Sequence, residues 1–410
     1  MPGRSYKWWV VGMLWLVCFF NYADRQAIFS VFPLLKSGLG LSDVELGVAG
    51  SAFMWVYAFF GPVAGWLGDR LPRKTLILGA LVFWSLMTAS TALVHSFWQL
   101  TLCRALGGLG EAFYFPASMS LIGDYHGRGT RSRAMAFHQS SVYAGTIGGG
   151  VFAGWIAQNH GWHSTFVWFG GCGIVLAVVL WGLLREPARG LSEEKSLEAG
   201  PLKAGRPVMD TLRLVFHSRL VFLLILAFMG ANFVAIVFLS WMPSYLYRQF
   251  GMSLSMAGWN ATAYLQMASV LGVLSGGVAA DRLARRRRGA RMATQSFGLL
   301  CGVPFLFLTG WTLSVPVLVT AMACFGYFKG LYDANIFASL YDVVAVDVRA
   351  AAAGILNSLG WLGGGFAPVL VAAASARVGM GACLSASSAI YLGCAALLAW
   401  ASWIHARRHS

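Results

Sequence analysis

Six ionisable side chains fall inside long apolar runs of this sequence: Asp24 and Arg25, Arg104 and Glu111, and Lys329 and Asp333. A charge held at the middle of a bilayer costs roughly 3 kcal/mol or more, so such residues are candidates for a function. Arginine is permanently charged and presents a planar fork that fits a carboxylate. A carboxyl group in a low-dielectric pocket can take up and release a proton near neutral pH. Together the two could hold an organic anion and couple its binding to a proton. Arg25, Arg104 and Lys329 are the candidate anion holders, with Tyr22, Tyr57 and Asn335 as further lining residues. Asp24, Glu111 and Asp333 are the candidate proton carriers. His138 also lies in an apolar run and reads more simply as a packing residue.

Spacing narrows what these groups can do. Arg104 and Glu111 are seven residues apart, so on a helix they share a face about 10 Å apart along the axis. That is too far for direct contact. They either bracket a cavity or each find a partner on another helix. Asp24 and Arg25 are neighbours and point about 100° apart. One arrangement pairs Asp24 with Arg104 and leaves Arg25 to face a ligand. Lys329 and Asp333 stand at i and i+4, where they can satisfy each other or line the same path.

The elements that must carry these residues follow from composition. Of 410 residues, 58% are hydrophobic and 11% charged, against about 25% charged in a soluble domain. A chain this poor in charge cannot cover a water-facing surface, so lipid must be the solvent for much of it. Windows of about 20 apolar residues suffice to span a bilayer. They recur over Val11–Leu35, Leu46–Leu67, Thr75–Val94, Trp98–Ile122, Ala134–Ile156 and Ser164–Leu184. After a polar stretch they resume over Leu220–Leu246, Ser255–Ala279, Ala290–Thr309, Leu313–Tyr341, Ala350–Ala374 and Gly381–Ile404. The expectation is an all-α membrane protein of twelve helices in two six-helix bundles, 1–184 and 220–410, joined by a linker at 185–219. The first apolar run is too long for a signal peptide and lacks a cleavage site, so it reads as a retained span.

The formal charge of +15 is a topology signal. If the spans alternate, the side of both termini and the linker holds nearly all the loop Lys and Arg. The other side holds only Lys36, Arg248 and Arg377. The positive-inside rule then places both termini and the linker in the cytoplasm. The basic residues form no single patch, which argues against a nucleic-acid partner. The seven cysteines fall in or at the ends of apolar runs with no metal-binding spacing, and read as small core residues.

The two halves repeat. GWLGDRLPRK from Gly65 is echoed by GVAADRLARR from Gly277, EAFYFPAS from Glu111 by DANIFAS from Asp333, and the GGG at Gly148 by the GGG at Gly363. Such internal repeats suit an alternating-access carrier. Within the first echo, Asp69 with Arg73 and Asp281 with Arg285 read as gating pairs at a cytoplasmic mouth, with Arg70 and Arg282 beside them. The alternative is a solvated loop.

Gly65, Leu67, Asp69, Arg70, Arg73 and Lys74 resemble the signature loop of the major facilitator superfamily, with Pro72 where that family usually has Gly. NYADR from Asn21, Arg104 with EAFYFPA from Glu111, and SWMPSYL from Ser240 resemble its anion:cation symporter family. That resemblance implies transport of organic anions such as sugar acids, commonly with protons. NYADR, GLGEA and REPARG also resemble spinster-like transporters, which implies a lysolipid or other amphiphile instead. The sequence contains no G-x-x-x-x-G-K-[ST] and no H-E-x-x-H motif. The expectation is therefore a carrier, not an enzyme or ATP-driven pump. It would need no cofactor or metal, and would work as a monomer in a plasma or inner membrane with an anionic solute, protons and lipid as its partners. A Gly200→Cys variant in a cysteine-free background should resist a membrane-impermeant thiol reagent added to intact cells. Labelling there would overturn the topology.

Overall fold

The computed structural model describes residues 5–68, 70–127, 130–187, 217–344 and 348–407. All regular structure among them is α-helical. The helices are α1 (Tyr6–Leu39), α2 (Asp43–Gly68), α3 (Arg73–Thr91), α4 (Phe97–Ala112), α5 (Tyr114–Tyr125), α6 (Arg131–His160) and α7 (Trp162–Leu183). After the polar stretch come α8 (Arg219–Phe250), α9 (Leu254–Ala284), α10 (Ala290–Trp311), α11 (Val315–Asp333), α12 (Ile336–Val343), α13 (Arg349–Gly365), α14 (Ala367–Val378) and α15 (Met380–Arg407).

Among the described residues fifteen segments make twelve rods, because α4 with α5, α11 with α12, and α13 with α14 are single spans interrupted by a residue or two. Each break has a local cause. Pro116 cannot donate to the Ala112 carbonyl, and α4 stops at Ala112. Pro368 does the same to Gly364, and α13 stops one residue later. Between α11 and α12 the side chain of Asn335 donates to the Leu331 carbonyl at 3.0 Å and to the Gly276 carbonyl at 3.3 Å. It thereby satisfies groups that a broken helix exposes. Two of these breaks follow directly on Glu111 and Asp333.

Nine rods among the described residues are long and apolar enough to cross a membrane. The other three are α1, the α4–α5 rod and α6. They carry Asp24 and Arg25, Arg104 and Glu111, and His138. Outer faces are apolar rather than polar: on α7, Val167, Trp168, Val175, Val178 and Trp181 are all exposed. This is the pattern of a helix solvated by lipid.

The chain forms two compact units, Met1–Lys203 with Met252–Gly258, and Ala204–Gly251 with Trp259–Ser410. Most of the expected linker, 188–216, lies outside the described residues. In the first unit a core of Leu14, Val17, Leu81, Trp84, Tyr114, Leu121 and Leu180 ties α1, α3, α5 and α7 together.

Two glycines set the helix approach that the site needs. A Cβ on Gly149 of α6 would lie 2.3 Å from the Ala23 carbonyl oxygen of α1, and one on Gly108 of α4 would lie 2.3 Å from the Phe53 carbonyl oxygen of α2. Both neighbours are backbone and cannot swing aside. Gly108→Val should cost about 1–3 kcal/mol of stability through overpacking. Gly12→Ala, whose Cβ meets open space, should leave it unchanged. Thermal unfolding of the purified variants compares the two, and equal melting temperatures would refute the close-approach role of Gly108.

Candidate functional site

The six intramembrane charges divide between the two units. In the first, α1 presents Asp24 and Arg25 and α4 presents Arg104 and Glu111. All four are buried, Arg104 to 5% exposure and Glu111 to 2%. The Arg25 Nε donates to Glu111 Oε2 at 2.5 Å. Asp24 turns toward α3, where its Oδ2 accepts from the Thr88 hydroxyl at 3.1 Å. Its Oδ1 is buried with no hydrogen-bond partner among the described residues, as are Nδ2 of Asn21 one turn earlier and Nε of Arg104.

The pairing of Asp24 with Arg104, one of the arrangements the spacing allowed, is therefore not the one adopted. Arg25 takes a carboxylate, Glu111, and Arg104 has no carboxylate within ion-pairing distance among the described residues. The reason is the 100° between Asp24 and Arg25 on α1. The rotation that aims Arg25 at the end of α4 aims Asp24 at α3.

Aromatic rings complete the cluster. The Arg25 guanidinium lies 4.4 Å from the Tyr57 ring centre, 4.8 Å from Tyr22 and 5.2 Å from Phe53. Arg104 lies 4.6 Å from the same Phe53 ring, and Phe53 stacks on Tyr57. Two guanidinium groups thus lie within reach of one phenyl ring, whose π face favours a cation. Phe53 and Thr88 were not among the sequence candidates. An ordinary Phe and Thr in apolar runs carry no one-dimensional signal.

In the second unit Lys329 pairs with Asp333 on its own helix. Asn335 is buried, with its amide committed to two carbonyls at the helix break. His138 is fully buried; its Nε2 lies 2.8 Å from the Tyr114 hydroxyl, which donates to the Leu14 carbonyl at 2.6 Å. That places it in a packed hydrogen-bonded contact joining α1, α5 and α6.

Of the two candidate gating pairs, the one at Asp281 is partnered differently from expectation, and the one at Asp69 falls outside the described residues. Arg73 pairs with Asp124 at the end of α5, while its amide and that of Lys74 donate to the Glu186 carboxylate at 2.9 and 2.6 Å. A carboxylate over a helix N-terminus is a favourable placement. Arg70 stacks over Trp66 at 3.6 Å. Asp281 pairs not with Arg285 but with Arg291, at 2.8 Å, and Arg291 also holds Asp342 at 2.6 Å. Arg282 and Arg285 are exposed. The i+4 spacing of Asp281 and Arg285 predicted a local pair. The chain instead turns after Ala284 and returns Arg291 to Asp281. Asp124 and Asp342 end corresponding rods of the two halves, so Arg73–Asp124 and Arg291–Asp342 extend the repeat.

These features agree with the sequence comparison. The family described as Major Facilitator Superfamily matches residues 14–368. The chain belongs to that superfamily. It is a multi-pass membrane transporter and not an enzyme. It is 28% identical over 394 residues to the "Probable galactarate/D-glucarate transporter GudP" of Bacillus subtilis, covering 90% of this chain and 85% of that one. It is 31% identical over 326 residues to the human protein spinster homolog 1, covering 75% of this chain and 60% of that one. A crystal structure of a bacterial homolog of the human lysosomal transporter spinster, inward-facing and unoccupied, matches with a TM-score of 0.88 at 23% identity, covering 98% of each chain. At that identity the likeness speaks for the fold.

The ion pairing makes a stability difference measurable. Arg25→Gln leaves Glu111 buried without its partner and should destabilise the carrier by about 3–5 kcal/mol. Arg104→Gln breaks no ion pair at contact distance, only the longer-range attraction to Asp24 and Glu111, and should cost clearly less than Arg25→Gln. Equal losses in the two variants would mean that Arg104 is ion-paired after all.

Proposed function

We propose that this protein is a proton-coupled symporter of small organic carboxylates, sugar acids foremost, working by alternating access with both termini in the cytoplasm. The observation that carries the reading is Arg104: a buried guanidinium without a carboxylate, set against the same ring as an arginine that has one. A permanent cation in a low-dielectric setting calls for an anion, and a ligand carboxylate would supply it. The galactarate/D-glucarate and L-galactonate transporters among its relatives have names that point to the same chemical class.

The mechanism follows from competition for Arg25. In the unloaded carrier Glu111 holds Arg25. A proton on Glu111 weakens that bond, because a neutral carboxyl group forms a much poorer hydrogen bond with a guanidinium than a carboxylate does. Arg25 is then released to a substrate carboxylate, which bridges it to Arg104 across Phe53. Asp24 Oδ1 and Asn21 Nδ2, an acceptor and a donor without partners, suit the hydroxyls of a sugar acid. Tyr22 and Tyr57 wall the place. With Asp24 and Glu111 ionised, the cluster of two arginines and two carboxylates is neutral. Each proton taken up leaves one uncompensated positive charge, which one substrate carboxylate cancels. A monoanion would therefore travel with one proton on this cluster and a dianion with two. Arg73–Asp124 in one unit and Arg291 with Asp281 and Asp342 in the other serve as the gating contacts. Lys329 and Asp333 act as a neutral pair.

Glu111→Gln imitates the protonated acid permanently. It should still exchange substrate across a proteoliposome membrane in counterflow, since exchange needs no net proton movement. It should fail to accumulate substrate against a gradient when a pH difference is imposed. Accumulation at the wild-type rate would remove Glu111 from coupling and leave Asp24 as carrier of the proton. A wild-type protein indifferent to pH, stabilised by lysolipids and not by sugar acids, would favour the amphiphile substrate that the spinster relatives suggest.

A further inference from the structure

Ten residues at the junction of α9 and α10 contain six arginines, Arg282, Arg285, Arg286, Arg287, Arg288 and Arg291, and no lysine. Orientation in the membrane requires only positive charge, which lysine supplies equally. What arginine adds is a rigid fork that grips phosphate oxygens in pairs. The structure gives these forks a place to act. A cavity of about 600 Å³ opens beside the loop, walled by Arg285, Arg287, Arg288 and Arg291 with Asp281, Asp342 and His405.

The charges in this cavity are unequal in kind. Arg291 bridges Asp281 at 2.8 Å and Asp342 at 2.6 Å, so both acids of the wall are already answered. Arg285, Arg287 and Arg288 have no acidic partner among the described residues, where they form a positive lining. Helix α10 begins at the same wall. Its capping residue, Gly289, has a backbone φ of 74° and no side chain to offer the first amides. The N-terminal end of α10 therefore adds its partial positive charge to the cavity.

Depth in the membrane separates the possible ligands. The Ser402 hydroxyl of α15 donates to the Gly289 carbonyl at 2.9 Å, and a side chain at 289 would collide with the Ser402 backbone. The loop is thus latched to α15 at residue 402. On either side of that residue Trp400 and Trp403 are exposed, with Arg219 and Arg407 stacked on their rings at 5.5 and 4.0 Å. Exposed tryptophans on a spanning helix mark the level of the lipid headgroups. The arginine-lined cavity lies at that level.

We propose that this cavity binds the headgroup of an anionic phospholipid. Its phosphate rests against Arg285, Arg287 and Arg288 at the start of α10, and its acyl chains descend along the exposed face of α15. The site is separate from the Arg25–Glu111 cluster, so its occupancy and the proposed substrate chemistry stand or fall independently.

The test is lipid retention by the full-length, delipidated protein in a neutral detergent, read by native mass spectrometry with phosphatidylglycerol and phosphatidylcholine titrated separately. Wild type should retain phosphatidylglycerol in preference to phosphatidylcholine. Arg287→Gln with Arg288→Gln should weaken phosphatidylglycerol retention roughly 25-fold, at about fivefold for each arginine near the surface. Arg282→Gln with Arg286→Gln removes the same charge from the same junction. These two residues line a neighbouring hollow instead, so the affinity should stay at the wild-type value. Should the first double variant fail to fold, the single variants carry the test at about fivefold each. Equal losses in the two double variants would mean diffuse attraction and overturn the site. So would equal retention of the two lipids by wild type. Displacement of phosphatidylglycerol by millimolar glycerol phosphate or inorganic phosphate would assign the cavity to a soluble anion and overturn the lipid as its ligand.

Discussion

The protein is organised around one constraint: charge inside a bilayer must be neutralised at close range. The bond between Arg25 and Glu111 meets that constraint across two helices, α1 and α4. It decides the rotation of α1, since Arg25 can reach Glu111 only if Asp24 faces α3. It also decides what Arg104 lacks. Glu111 is the carboxylate on Arg104's own face of α4, and it is already occupied by Arg25. The proposed ligand site owes its character to this uneven division of two acids between two bases.

Geometry of that kind depends on backbone more than on side chains. Helices normally stand 8–10 Å apart, and side chains at the contact set the distance. Here Gly108 lets α4 settle onto the Phe53 carbonyl and Gly149 lets α6 settle onto the Ala23 carbonyl. The first contact places Phe53 within reach of two guanidinium groups. The second supports α1 one residue before Asp24. The break caused by Pro116 then ends α4 at Ala112, so Glu111 sits in the last turn of a rigid segment and Tyr114 begins a new one. Charges, glycines and proline form one device, in which the small residues determine where the large ones meet.

Much of this is legible in one dimension. The twelve rods among the described residues follow from apolar length, the repeat from matching fragments, and the candidate site residues from their being charged in apolar runs. The partners were harder to read. Lys329 with Asp333 was legible, because an i, i+4 pair on a helix needs no knowledge of any other helix. The same rule misled at Asp281 and Arg285, because the helix ends at Ala284 and the chain folds back to bring Arg291 in. Periodicity gives the face on which a residue lies but not the neighbour it faces. For Arg25 that neighbour was settled by which helices approach closely, which rests on glycines whose effect shows only when a Cβ is placed on them. Phe53 and Thr88 escaped notice for a related reason. Their part comes entirely from position, and nothing in their chemistry sets them apart from many other Phe and Thr residues in the spans.

The two units share a helix pattern but not a charge pattern, and the difference bears on where coupling can reside. Lys329 and Asp333 belong to one helix turn. Their separation is set by the helix itself, so no movement of α11 against its neighbours changes it, and a proton on Asp333 has little to release beyond the lysine beside it. Arg25 and Glu111 stand on different helices. Their separation responds to any shift of α1 against α4, and the shift responds to whether the bond is made. A bond between elements can transmit the arrival of a proton into a movement of helices, whereas a bond within an element cannot. In the proposed cycle the driving chemistry belongs to the first unit, and the neutral pair of the second keeps its charges from interfering while the helices move.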